Sequence, residues 1–281
     1  PPLPTTAELQ ELIEIKAYRP CLQNIARILA LTGDAARPYD RATMFLLRGE
    51  CLLQLNDPIS AQIAFQTALK EATALPQADQ ARALVYLMKN SQGLFFKPKT
   101  IPNVTSLDLR NLPQRTQAFQ SLFQEKMADQ AQAVQKAQNA GNLQPIINVL
   151  PELRNLRALE IAGTGADKQT QPLVKDIGER ARVLITTDLN RQRAMIDRIQ
   201  ANADVMVTVN YGTTRFGNRG WWNSNTCRTG LSSDDRNNLR DIINSAQNLL
   251  ETSQQGRQIA QSFGADGKIW NPLIDKATDN I

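Results

Sequence analysis

Apolar positions recur at intervals of three and four along most of this 281-residue chain, the spacing of helices with one buried face. Leu9, Leu12 and Ile13 form a first stripe reaching Tyr18, and Thr5 with Glu8 has capping-box spacing at its start. Leu22, Ile25, Ala26 and Leu29 line a second helix, which the pattern opens at Pro20 and stops at Gly33. A third runs from about Asp40 to Leu55. It ends at Asn56-Asp57-Pro58, where Asp57 reads as a cap and Pro58 as the first residue of the next helix. A closing helix occupies about residues 78 to 92.

Beyond this point the pattern changes. Residues 94 to 113, LFFKPKTIPNVTSLDLRNLP, contain three prolines and no helical period, and read as an interdomain crossover that buries Leu94, Phe95 and Phe96. Longer helices follow. One extends from Pro113 to Ala140, a second is broken at Pro145 and Pro151 on its way to Ala162, and a third runs from Gln171 to about Ala203. Val174, Ile177, Ala181 and Leu184 line that third helix. Val205, Val207, Val209 and Tyr211 alternate with period two, which predicts a short strand. A final helix begins at Ser232 or Ser233 and points Leu239, Ile242, Ile243, Ala246, Leu249, Leu250, Ala260 and Phe263 inward. The expected fold is all-α. It comprises helical hairpins over 1–93, the crossover over 94–113 and a bundle of longer helices over 114–281.

The second hairpin has a more specific pattern. In FLLRGECLLQLNDPISAQIAFQTALKEATALP, Gly49 and Ala61 place small residues where two antiparallel helices approach. Phe65 fills the gap, Leu52 and Ala68 complete the pattern, and Pro76 follows the unit. Residues 42–75 thereby resemble a tetratricopeptide repeat, with the hairpins on either side as degenerate repeats or caps. The resemblance implies a scaffold that binds another protein or peptide on the concave face made by the first helix of each unit. It assigns no binding residues, because the Lys/Asn set that recognises carboxylates in some members of the family has no counterpart on one clear unit.

Composition narrows the chemistry mainly by exclusion. Hydrophobic residues make up 42% and charged residues 21%, ordinary for a globular protein, and no apolar run reaches the roughly 18 to 20 residues of a membrane span. With no histidine, the common Ser-His-Asp and Cys-His systems and nearly all catalytic zinc sites are excluded. Three cysteines, Cys21, Cys51 and Cys227, lack CxxC spacing; Cys21 and Cys51 are expected to be reduced core thiols. GTGADKQT (163–170) and GADGKI (264–269) lack the Gly-Lys-Ser/Thr ending of a phosphate loop and read as helix stops. Glu152, Glu160 and Glu179 are scattered, and Asp234-Asp235 suit a helix start. An all-α glycosidase would need one carboxyl held in a cleft, which nothing here singles out. No enzymatic activity, cofactor or metal is expected.

One segment carries chemistry of its own. Net charge is +5, and Val205 to Ser233 contains no acid while Arg215, Arg219 and Arg228 fall inside it. Together with Trp221 and Trp222, these arginines supply cations and stacking faces in a loop spanning 210–231, suited to an acidic glycan or single-stranded nucleic acid. The alternative is structural, with one tryptophan buried as an anchor and the other partly exposed. The start, PPLPTT, has neither Met nor an apolar signal segment, which suits an exported protein after signal-peptide removal; a cytoplasmic protein is the alternative.

Overall fold

The computed structural model describes residues 2–91, 108–213, 233–262, 268 and 271–279. Among them the fold is all-α: ten helices, a 3-10 turn at Gly33–Ala36 and no strand. The helices are α1 (Thr6–Glu14), α2 (Tyr18–Leu29), α3 (Arg41–Gln54), α4 (Pro58–Glu71), α5 (Leu75–Ser91), α6 (Leu112–Gln138), α7 (Gln144–Thr164), α8 (Thr170–Thr213), α9 (Ser233–Ser262) and α10 (Asn271–Asp279). Among the described residues, no helix is long and apolar enough to cross a membrane.

The first two hairpins use the same turn. After α1, Lys16 takes a left-handed φ of 63°, its N–H bonds to the Ile13 carbonyl, and the Ala17 N–H reaches the Leu12 carbonyl. After α3, Asn56 has φ 63°, and the Asn56 and Asp57 N–H groups bond to the Leu53 and Leu52 carbonyls. Both are Schellman closures, which satisfy two carbonyls at a helix end and reverse the chain within three residues. The starts are capped too. Thr5 and Glu8 complete a capping box, while Asp40 and Asp57 accept from the backbone N–H groups of Thr43 and Ser60.

Close approach joins α3 to α4. A Cβ added at Gly49 would lie 2.3 Å from Phe65 Cε1, so the ring sits where any other side chain would start. Phe65, Ala61, Ala64 and Ala68 are buried on the facing side of α4. A neighbouring cluster of Leu9, Cys21, Ile25, Ile28, Met44 and Cys51 ties α1, α2 and α3 together. Its two cysteines are free thiols in mutual contact, and Cys21 also donates to the Leu9 carbonyl at 3.6 Å.

The chain divides into two compact units. The first holds Pro1–Asn139, Gln144–Asp176 and Ser262–Gly264; the second holds Ala140–Leu143, Ile177–Gln261 and Ala265–Ile281. By this division α6 and α7 group with α1 to α5, and most of the expected crossover at 94–113 lies outside the described residues. Within the first unit, Arg115 of α6 pairs with Glu50 of α3 at 2.9 Å, and Gln54 donates to the Arg110 carbonyl. α6 and α7 pack closely at Gly163, where a Cβ would fall 2.8 Å from Gln120 Cγ. Gln120 Nε2 donates to the Gly163 carbonyl at 2.6 Å. Leu94, Phe95 and Phe96 lie outside the described residues.

In the second unit, α8 buries Ile177, Ala181, Ile185, Leu189 and Gln192, and α9 buries Ile242, Ala246, Leu249 and Ser253. These are narrow seams at three- and four-residue spacing. α10 meets α8 through Lys276 and Asn190, and meets α9 through Arg257 and Asn271.

Several boundaries differ from expectation for identifiable reasons. α2 starts at Tyr18, with Pro20 in its first turn where no N–H is required, and it ends before Gly33, which instead opens the 3-10 turn. α7 is continuous through Pro151. An interior proline costs about 3 kcal/mol. Burial of Val149, Leu150, Leu153 and Leu156 on either side offsets it, at about 1.5 to 3 kcal/mol per fully buried side chain. The expected strand at Val205–Tyr211 is helical, as the last turns of α8. A lone strand leaves its backbone groups unpaired, whereas each residue added to an existing helix gains a bond. Ile243 faces solvent because the buried seam of α9 is narrower than its apolar pattern.

Candidate functional site

Arg215, Arg219, Trp221, Trp222 and Arg228, the residues singled out in the sequence, lie outside the described residues. The most distinctive chemistry among the described ones is a polar seam between α5 and α7 that the pattern reading missed. Arg157 of α7 pairs with Asp79 of α5 at 3.1 Å, and its Nε donates to Asp167 at 2.7 Å. Further along, the Tyr86 hydroxyl of α5 donates to Glu152 of α7, which also accepts from Asn155 Nδ2 at 2.9 Å. Residue numbers rise along one helix as they fall along the other, so the two run antiparallel.

Between these two rungs lie Arg82 and Arg154. Arg82 is one turn on from Asp79, and Arg154 is one turn back from Arg157. Both are half-buried, and among the described residues neither has a carboxylate within ion-pair distance. Arg154 Nε is buried and has no hydrogen-bond partner among the described residues.

Electrostatics mark the same place. Burial lowers the Arg82 pKa, and the charge of Arg154 lowers it further, against the pull of Asp79. Burial lowers Arg154 as well, again opposed by Asp79. Asp79 moves the other way: burial raises its carboxyl, and the charges of Arg157, Arg82 and Arg154 counter this only in part. Two guanidiniums therefore feel Asp79 only at a distance, in surroundings that penalise charge.

Other sequence candidates have structural tasks. Glu160 is buried and accepts from the Gln169 N–H at 2.7 Å, the Thr170 N–H at 2.9 Å and the Thr170 hydroxyl at 2.7 Å. The GTGADKQT segment is thus a loop that brings the start of α8 onto a carboxylate, where the helix dipole favours negative charge. Glu179 pairs with Arg182 on the surface of α8. Among the described residues, no group of three or more His, Cys, Asp or Glu is placed to hold a metal ion.

A signal for the seam was present in the sequence. Asp79 and Arg82, like Arg154 and Arg157, are three apart on their helices, so each pair shares a face. No family model, curated protein or solved structure matches the chain.

Proposed function

We propose that this chain is a non-catalytic scaffold that binds another protein through a tetratricopeptide-like hairpin array. The observation carrying this reading is periodic. α1, α3 and α5 start at residues 6, 41 and 75, intervals of 35 and 34 residues, close to the 34-residue unit of that family. The shared Schellman turn of the first two hairpins and the Gly49–Phe65 packing support it. Stacked units leave an extended surface, and such surfaces serve protein recognition. The occupied carboxylates Glu152 and Glu160 also weigh against an enzyme, since a general acid or base must be free to reach substrate.

The test is affinity capture with the wild-type chain and an Ile59→Asp/Ile63→Asp variant. These two side chains on α4 are 74% and 59% exposed, so the variant alters the array surface without opening its core. A single protein partner captured by wild type at stoichiometric yield supports the scaffold reading; retention in the variant leaves the partner to the face made by the first helix of each unit, and loss assigns it to α4. If nothing protein is retained while immobilised heparin or single-stranded DNA binds with steep salt dependence, the scaffold reading fails. The second reading, binding of an acidic ligand by Arg215, Arg219, Trp221, Trp222 and Arg228, then takes its place. The acid-free run from Val205 to Ser233 favours that alternative.

A further inference from the structure

We infer that Arg82 and Arg154 form a site for a phosphate-type dianion across the α5–α7 seam. The site is independent of the hairpin-array reading. Two guanidiniums stand between the Asp79–Arg157 and Tyr86–Glu152 rungs, one from each helix, and neither is ion-paired among the described residues. Arg154 Nε is buried and has no acceptor among the described residues, so an N–H donor has been taken from water without receiving one there. Residues 92–107, which follow α5 directly in sequence, contain no Asp or Glu.

The chemistry of the pair selects the ligand. A guanidinium presents parallel N–H donors that match two oxygens of a carboxylate or phosphate. Two guanidiniums on opposite helices are best matched by an anion with more than two acceptor oxygens and more than one negative charge. A phosphate or phosphate monoester meets both requirements; a carboxylate meets neither. Nearby acids do not fill the role. Asp79 and Asp167 are both engaged by Arg157, and Glu152 is held by Tyr86 and Asn155. Because Arg82 and Arg154 are only half-buried, a small anion can reach them from solvent.

Calorimetric titration of the whole chain with inorganic phosphate, at constant ionic strength set with sodium chloride, tests the site. A saturable one-to-one isotherm is expected, weakened about tenfold or more in either Arg82→Gln or Arg154→Gln, the measure of one charge-assisted pair. Arg82→Lys keeps charge and stem, and should bind phosphate with an affinity between wild type and Arg82→Gln. O-phosphoserine, tested in parallel, separates the sources. Tighter binding than inorganic phosphate points to a monoester on a larger molecule, and equal binding to the free ion.

Melting without phosphate separates a ligand site from a structural pair. Removing either arginine relieves a desolvated, repelled cation, so both glutamine variants should melt at or above the wild-type temperature. Three results would each overturn the inference: no phosphate heat beyond that of chloride, equal binding of acetate, or glutamine variants that melt lower and still bind.

Discussion

Two helix–helix seams of the first unit solve the same packing problem in opposite ways. α3 meets α4 through shape: Gly49 gives up its side chain, and the Phe65 ring occupies the space. α5 meets α7 partly through charge, with Asp79 on Arg157, Tyr86 on Glu152, and two arginines between them that lack an ion-paired carboxylate among the described residues. The first seam draws on burial of apolar surface, the dominant favourable term in folding. In the second, desolvation opposes most of what Coulomb attraction supplies, so its net contribution to stability is small. A seam that adds little stability while holding unpartnered donors is a better candidate for function than one that closes the core.

The contrast can be broken most directly at Phe65. The side chain is fully buried, so Phe65→Ala should cost about 3 to 5 kcal/mol in urea-unfolding experiments. Gly49→Leu should cost about 1 to 3 kcal/mol, because its side chain must displace the same ring. An unchanged midpoint for Gly49→Leu would mean that the two helices separate freely there, and the shape argument would fail.

Effects should be smaller on the ionic side. Tyr86→Phe removes one donor from Glu152, which keeps Asn155 as a partner, so a loss of about 1 kcal/mol is expected. Asp79→Asn should change stability at neutral pH by no more than about 1 kcal/mol, since a partly compensated buried charge is removed. Its pH dependence is the sharper measurement. The folded state raises the Asp79 pKa above its ordinary value of 3.8, so the folded protein binds this proton more tightly than the unfolded chain does. The associated stability is fully present below that value and is lost as pH rises through the raised one. The midpoint of Asp79→Asn relative to wild type should therefore climb between pH 4 and pH 7. A falling difference would show that Arg157 stabilises the carboxylate more than burial penalises it.

Legibility in the sequence followed the same division. Gly49, Ala61 and Phe65 could be read as a packed hairpin because small and large apolar residues at fixed helical spacing have few other uses. The Asp57 cap and the Pro58 start were equally plain, since both act on their own backbone within one turn. The α5–α7 seam was legible only as two charged pairs at three-residue spacing, not as a site. Charged residues on a helix normally face water, and no local rule marks which of them a second helix will cover. The cysteine pair behaved similarly: Cys21 and Cys51 are 30 positions apart, and only the packing of α2 on α3 brings the thiols into contact.

What the sequence determined by itself was local: helical content, the caps, the Asn-Asp-Pro turn and the small-residue hairpin. Each depends on interactions spanning a few residues, whose energies belong to the segment. The tertiary structure decided which proline a helix would tolerate, whether Val205–Tyr211 would be strand or helix, and which arginines would lose their water. Those outcomes depend on burial against distant elements. At Pro151, burial of four apolar neighbours outweighs a local penalty of about 3 kcal/mol. At Arg82 and Arg154, packing of α5 on α7 takes two cations out of water, which no interaction within either helix could fix.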